Sequence, residues 1–293
     1  MVVLDDQSAG FKWFFNLYFN LLNGKILQSG DIVLMDEPAH NLSPKARKEC
    51  ADFLRKYGEE NGITFMIITH DVFWVNPDYL NELRIIKNRE DKELKGICIQ
   101  NDFSRIQESD SDTLLSIKNA FGVGSNVFYP VNTKIISVEG ITDYNYFTTF
   151  KLLWEKENET TLDIVFLPMF GLGKAGEREI VLGKLIKQFE HPILLMDSDI
   201  YDEIVKIKEV KQYKQLKIIK LGDIESSFKE VEDIFSENDK EKYGTTKKSY
   251  GISASFKKHI LWNDGQVEQD TKQNFYKVLQ TLVELTKHGN TES

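Results

Sequence analysis

Short apolar runs, each closed by a polar or acidic residue, alternate along this chain with longer stretches whose apolar positions return every three or four residues. The runs Ile32–Met35, Ile63–Ile68, Lys134–Val138, Leu162–Leu167, Ile193–Met196 and Leu216–Ile219 read as buried strands, because a strand covered on both faces is continuously apolar. Helical periodicity is expected over Phe11–Phe19, over Lys45–Tyr57 behind a Ser43-Pro44 cap, and over Asp143–Trp154, Gly176–Phe189, Ile200–Val210 and Glu225–Phe235. A last helix, Gln269–Lys287, carries Phe275, Val278, Leu279, Leu282 and Leu285 on one stripe. Between the halves the signal is weaker. Leu83–Ile86 and Gly96–Ile99 suggest a hairpin turning around Asn88–Asp91, Gln107–Asp112 a solvated loop, and Asp112–Phe121 a helix. Repeated strand–helix alternation predicts an α/β chain with a parallel sheet flanked by helices.

Composition narrows the class. With 293 residues and 41% hydrophobic content the chain can bury two moderate cores. Its 46 acidic against 37 basic residues, net −9, give no global positive field to draw nucleic acid, which argues against a plain DNA-binding module. An enzyme that meets phosphates through bound metal stays open, because a divalent ion inverts the local charge. Cys50 and Cys98 stand far apart without metal spacing, and no apolar run reaches the roughly 20 residues that span a bilayer. A reducing, cytoplasmic setting without a membrane is expected.

The chemistry concentrates where strands end. Glu139 closes one strand and Asp143 follows a helical turn later; Asp197 and Asp199 close another; Glu225 follows a third. One acid after a strand is usually a helix cap. Two clusters on two strands of one sheet instead suit Mg²⁺ or Mn²⁺, which take hard oxygen ligands at the carboxyl edge of such sheets. Asp36 and Glu37 end the first strand in the same manner, the first acid suited to Mg²⁺ and the second to polarising a water. His70, after the following strand, is in a position to reach a phosphate.

Ser8-Ala9-Gly10, the strand ending in Asp36-Glu37, the loop His40-Asn41-Leu42-Ser43 and Thr69-His70 resemble, in that order, the signature, Walker B, D-loop and switch histidine of ABC-type ATPases. The phosphate-binding G-x-x-x-x-G-K-[ST] is absent; Gly171-Leu172-Gly173-Lys174 lies far downstream with the wrong spacing. The resemblance therefore implies little ATP hydrolysis by this chain alone. It implies ATP binding only with a missing amino-terminal part or a partner chain that supplies the phosphate cradle. Ser8 and Gly10 would face a nucleotide held by another subunit.

Glu139-Gly140, Asp197-Ser198-Asp199 and the intervening Pro168-Met169-Phe170-Gly171 resemble the Toprim domain. An ABC-type segment followed by Toprim is similar to OLD-family ATP-dependent endonucleases and Gabija-type defence nucleases. On that resemblance residues 1–105 are a partial ATPase domain, 106–132 a linker, 133–263 a Toprim domain and 264–293 a terminal helix. It implies DNA cleavage with two metal ions, by a homodimer or higher oligomer. The ions would lie on Glu139, Asp143, Asp197, Asp199 and Glu225, with a late lysine, Lys257 or Lys258, facing developing negative charge. The alternative is a nuclease-silent interaction or regulatory subunit that completes an ATPase with a partner. Topoisomerase-like strand transfer is disfavoured, since no remaining segment is large enough for a tyrosine-bearing gate domain.

Overall fold

The computed structural model describes residues 8–22, 27–91, 94–100, 133–169, 178–189, 191–198, 201–208, 213–246 and 249–287. The helix expected over Asp112–Phe121 lies outside them, as do Asp199 and Gly171–Lys174. The described residues up to Leu80 form one compact unit and those from Asn81 onward a second. No helix among the described residues is long and apolar enough to cross a membrane.

The first unit is built from α1 (Ala9–Leu22), β1 (Ile32–Asp36), α2 (Pro44–Asn61) and β2 (Thr64–Ile68). Ser8 caps α1 by accepting the Phe11 N–H at 3.2 Å. Ser43 caps α2, Pro44 opens it, and Gly62 closes it at φ 67°, a left-handed backbone that glycine adopts without strain. β1 and β2 are parallel, in register from Ile32 opposite Thr64 to Asp36 opposite Ile68. Alternation sends Met35, Phe65 and Ile67 onto a core of Leu21, Leu42, Cys50, Ala51, Leu54 and Trp74. It leaves Ile32, Leu34, Met66 and Ile68 exposed on the other face.

The second unit opens with an antiparallel hairpin, β3 (Ile85–Asp91) and β4 (Leu94–Gln100). Asn88–Asp91, expected to be the turn, belong to β3, where they pair with β4 from Ile97 to Leu94. Then follow β5 (Lys134–Val138), α3 (Ile141–Asn158), β6 (Ile164–Pro168), α4 (Arg178–Gln188), β7 (Ile193–Met196), α5 (Tyr201–Lys208) and β8 (Lys217–Lys220). Helices α6 (Glu237–Tyr243), α7 (Tyr250–Trp262) and α8 (Gln269–Lys287) complete it. The sheet is parallel with strand order β6-β5-β7-β8.

Helices cover both faces of this sheet. Leu194 and Met196 of β7 pack with Val181, Leu182 and Leu185 of α4 and Ile204 of α5. Phe166 of β6 shares a row with Ile136 and Ile193, which puts it on the opposite face. There it stacks on Phe147 of α3 with ring centres 5.2 Å apart. Phe150, Phe235, Phe256 and Phe275 extend that cluster, Phe150 and Phe275 lying parallel at 3.9 Å. The helix expected over Glu225–Phe235 does not form. Only Leu221–Ile224 and Val231–Ile234 make single helical turns, and the backbone between them is irregular.

Candidate functional site

The strand order fixes where ligands gather. From β5 the chain crosses to β6 on one side and later returns to β7 on the other, so the β5–β7 boundary is the topological switch point, the crevice where open α/β sheets bind ligands. Glu139 and Asp197 follow those two strands. The Glu139 carboxylate accepts the Asp197 N–H at 3.0 Å, tying the two strand ends together. Asp143 sits in the first turn of α3, where its carboxylate accepts the Gly140 N–H at 3.2 Å and caps the helix.

The irregular segment after β8 closes the site. Ser198 N–H donates to the Lys229 carbonyl at 2.7 Å, and Val231 N–H donates to Asp197 Oδ1 at 3.2 Å. These two bonds draw Glu230 and Glu232 in beside Asp197, where one oxygen from each of the three carboxylates lies within 4.8 Å of the others. Asp197 and Glu232 are buried at 4% and 7% exposure. The half-buried Asp143 shares their field. Desolvation first, then the carboxylates of Asp197, Glu139 and Glu232, hold its pKa well above the usual carboxylate range, against the Gly140 hydrogen bond.

Five acids thus converge, and their donors fit a hard divalent cation. Such a group of carboxylates, partly drawn out of water, has the chemistry of a metal cradle. Tyr146 Oη and Ser198 Oγ are buried there and have no hydrogen-bond partner among the described residues.

The expected residues divide. Glu139, Asp143 and Asp197 come together, while Asp199 lies outside the described residues. Glu225 does not join the acidic group; it pairs with Lys277 of α8 at 2.7 Å, a hydrogen bond that also lowers its pKa. Of the two candidate late lysines, Lys258 is exposed, whereas Lys257 is fully buried with Nζ 4.8 Å from the Tyr144 ring centre. Glu230 and Glu232 were not anticipated. The signal for them is two acids flanking one apolar residue just after the fourth strand, in Lys229-Glu230-Val231-Glu232.

In the first unit the motif residues form their own constellation. Glu37 stands at φ 43° as the chain leaves β1, and its carboxylate accepts from Thr69 Oγ1 at 2.9 Å and from His70 N–H at 3.1 Å. His70 Nδ1 lies 2.5 Å from the same carboxylate, and that contact is the main reason the Glu37 pKa is lowered. Asp36 is exposed at the end of its strand. Gly10 meets the loop so closely that a Cβ there would lie 2.5 Å from the Asn41 carbonyl oxygen, which ties Ser8–Gly10 to His40–Leu42. Arg47, not anticipated, pairs with Asp71 while donating to the Leu42 and His40 carbonyls.

No protein-family model matches the chain and no curated protein matches it, so a function has to be argued from the geometry of the site itself.

Proposed function

We propose that this chain is a metal-dependent DNA endonuclease of the OLD type, hydrolysing phosphodiesters at the edge of its parallel sheet. One observation carries the reading: Asp197, Glu230 and Glu232 offer oxygens within 4.8 Å of one another, beside Glu139 and Asp143 at the switch point. Asp197, Glu230 and Glu232 would hold Mg²⁺ or Mn²⁺, with Glu139 and Asp143 offering oxygens for a second position. When bound, paired divalent ions lower the pKa of an attacking water and stabilise the leaving oxygen of an in-line displacement.

The chain's own residues do the rest. Glu139 fixes the Asp197 backbone, so the two strand ends cannot drift apart. Lys257 is a buried cation on the Tyr144 ring, next along α3 from Asp143, and its role is to offset negative charge in the transition state. Lys258, exposed beside it, is suited to a phosphate further along the strand. In the first unit, nucleotide chemistry at Asp36, Glu37 and His70 would require a phosphate-binding loop from another segment or chain.

A second reading, a nuclease-silent regulatory subunit that completes an ATPase with a partner, is favoured by the exposed apolar face of Ile32, Leu34, Met66 and Ile68. Parallel strands are normally covered on both faces. Supercoiled plasmid separates the two. Purified protein should nick it with Mg²⁺ or Mn²⁺, and both Glu139→Ala and Asp197→Ala should abolish nicking, with ATP present or absent. Folded protein that leaves plasmid intact under every metal would favour the regulatory subunit.

A further inference from the structure

Tyr146 is one helical turn beyond Asp143 on α3, a spacing that puts both side chains on one face of the helix. Its residue is fully buried. The ring accounts for part of that burial, packing edge-on against Phe235 at 4.9 Å and Phe256 at 5.4 Å. The hydroxyl is not accounted for. Among the described residues Oη, though buried, has no hydrogen-bond partner, so a phenylalanine would fill the same space and avoid the penalty of an unmet polar group.

The surroundings of the hydroxyl are specific. Burial, then the carboxylates of Glu232 and Asp143, push its pKa up, which keeps it an O–H donor at any working pH. A donor is thus stored next to acids that form the candidate cradle. Ligating groups in metal sites are themselves held by hydrogen bonds from behind, and those outer partners set affinity.

We propose that Tyr146 is a positioning residue for a divalent cation held by Asp197, Glu230 and Glu232, its phenol O–H donating to the Glu232 carboxylate when the ion is bound. This rests on the metal reading above. Tyr146 touches no substrate; it orients the ligand that holds the ion.

The test is Mn²⁺ titration by calorimetry on the full chain, with melting temperatures recorded in EDTA. Tyr146→Phe should weaken Mn²⁺ binding about tenfold, the lower end for loss of an outer-sphere partner. Its metal-free melting temperature should stay level or rise, because the unmet hydroxyl is gone. Glu232→Gln should weaken binding as well, and adding Tyr146→Phe to it should weaken binding no further, since both changes act through one carboxylate. Unchanged Mn²⁺ affinity in Tyr146→Phe overturns the proposal. So does a lowered metal-free melting temperature, which marks a structural role, and so does full additivity with Glu232→Gln. Wild-type protein that binds no Mn²⁺ overturns the metal reading and this proposal together, and the wild-type arm alone distinguishes that result.

Discussion

Asp143 shows what the site asks of one residue. Its carboxyl has lost water and faces three other carboxylates, so its folded pKa lies above the value of about 3.9 that an unfolded chain gives it. A raised acid contributes its full stability below the unfolded pKa, and that contribution is lost as pH rises through the folded pKa. At neutral pH without metal, where the unfolded carboxyl is ionised freely, this burial therefore works against the fold. Asp143→Asn keeps an oxygen to accept the Gly140 N–H and removes the charge. It should raise the metal-free melting temperature at pH 7 by about 2–4 °C, the shift that roughly 1 kcal/mol gives a domain of this size. The gain should vanish below pH ~4, where the wild-type carboxyl is also neutral. Melts in EDTA at the two pH values decide it; a variant less stable than wild type at pH 7 would mean the repulsion is already relieved. Cleavage should fall in the same variant, since the carboxyl that costs the metal-free fold stability is the one a cation needs.

At the scale of elements, legibility followed the regularity of the backbone. β5, β7 and α8 have the bounds expected from the apolar pattern, because a buried parallel strand and a one-sided helix each leave a simple period in the sequence. The segment after β8 misled for a physical reason. Phe228, Val231, Ile234 and Phe235 recur at helical spacing and all are buried, yet the backbone forms only short turns, with the Lys229 carbonyl and the Val231 N–H turned to Ser198 and Asp197 and the Lys229 and Glu230 N–H groups to the Asp233 carboxylate. For that same reason Glu230 and Glu232 fell inside an expected helix without being singled out, and Glu225 was read as a ligand. Lys257 was legible as a residue and not as an environment, since its burial depends on how α7 packs. The first unit's exposed face gives a prediction at this scale. Leu34 of β1 is 71% exposed opposite Met66, whereas Leu54 of α2 is 1% exposed. Leu34→Lys should change stability by no more than about 0.5 kcal/mol and lower both hydrophobic-dye binding and self-association. Leu54→Ala should cost about 2–5 kcal/mol. Denaturant titration with light scattering compares them, and a large stability loss at Leu34 would show that this face is covered in the folded protein.

For the whole molecule the deciding quantity is charge. A chain with net −9 and five acids gathered at one sheet edge repels a polyanion, and no global field steers DNA toward it. Under the proposed function the attraction has to come from the ions, which turn a cluster of acids into the point that accepts a phosphate. Binding and catalysis then share one requirement, unlike a nuclease that holds DNA on a basic groove and needs metal for chemistry alone. Calcium separates the two steps, since it takes the same oxygen ligands as magnesium with a looser geometry poorly suited to in-line displacement. Labelled duplex followed by fluorescence anisotropy should bind in Ca²⁺, lose most of that affinity in EDTA, and show no metal-dependent gain with Asp197→Ala. Equal affinity in EDTA and Ca²⁺ would show that a local basic surface carries the DNA and that the acidic edge serves chemistry only. Binding in neither condition would turn the balance toward the regulatory subunit, whose business lies with another protein and not with nucleic acid.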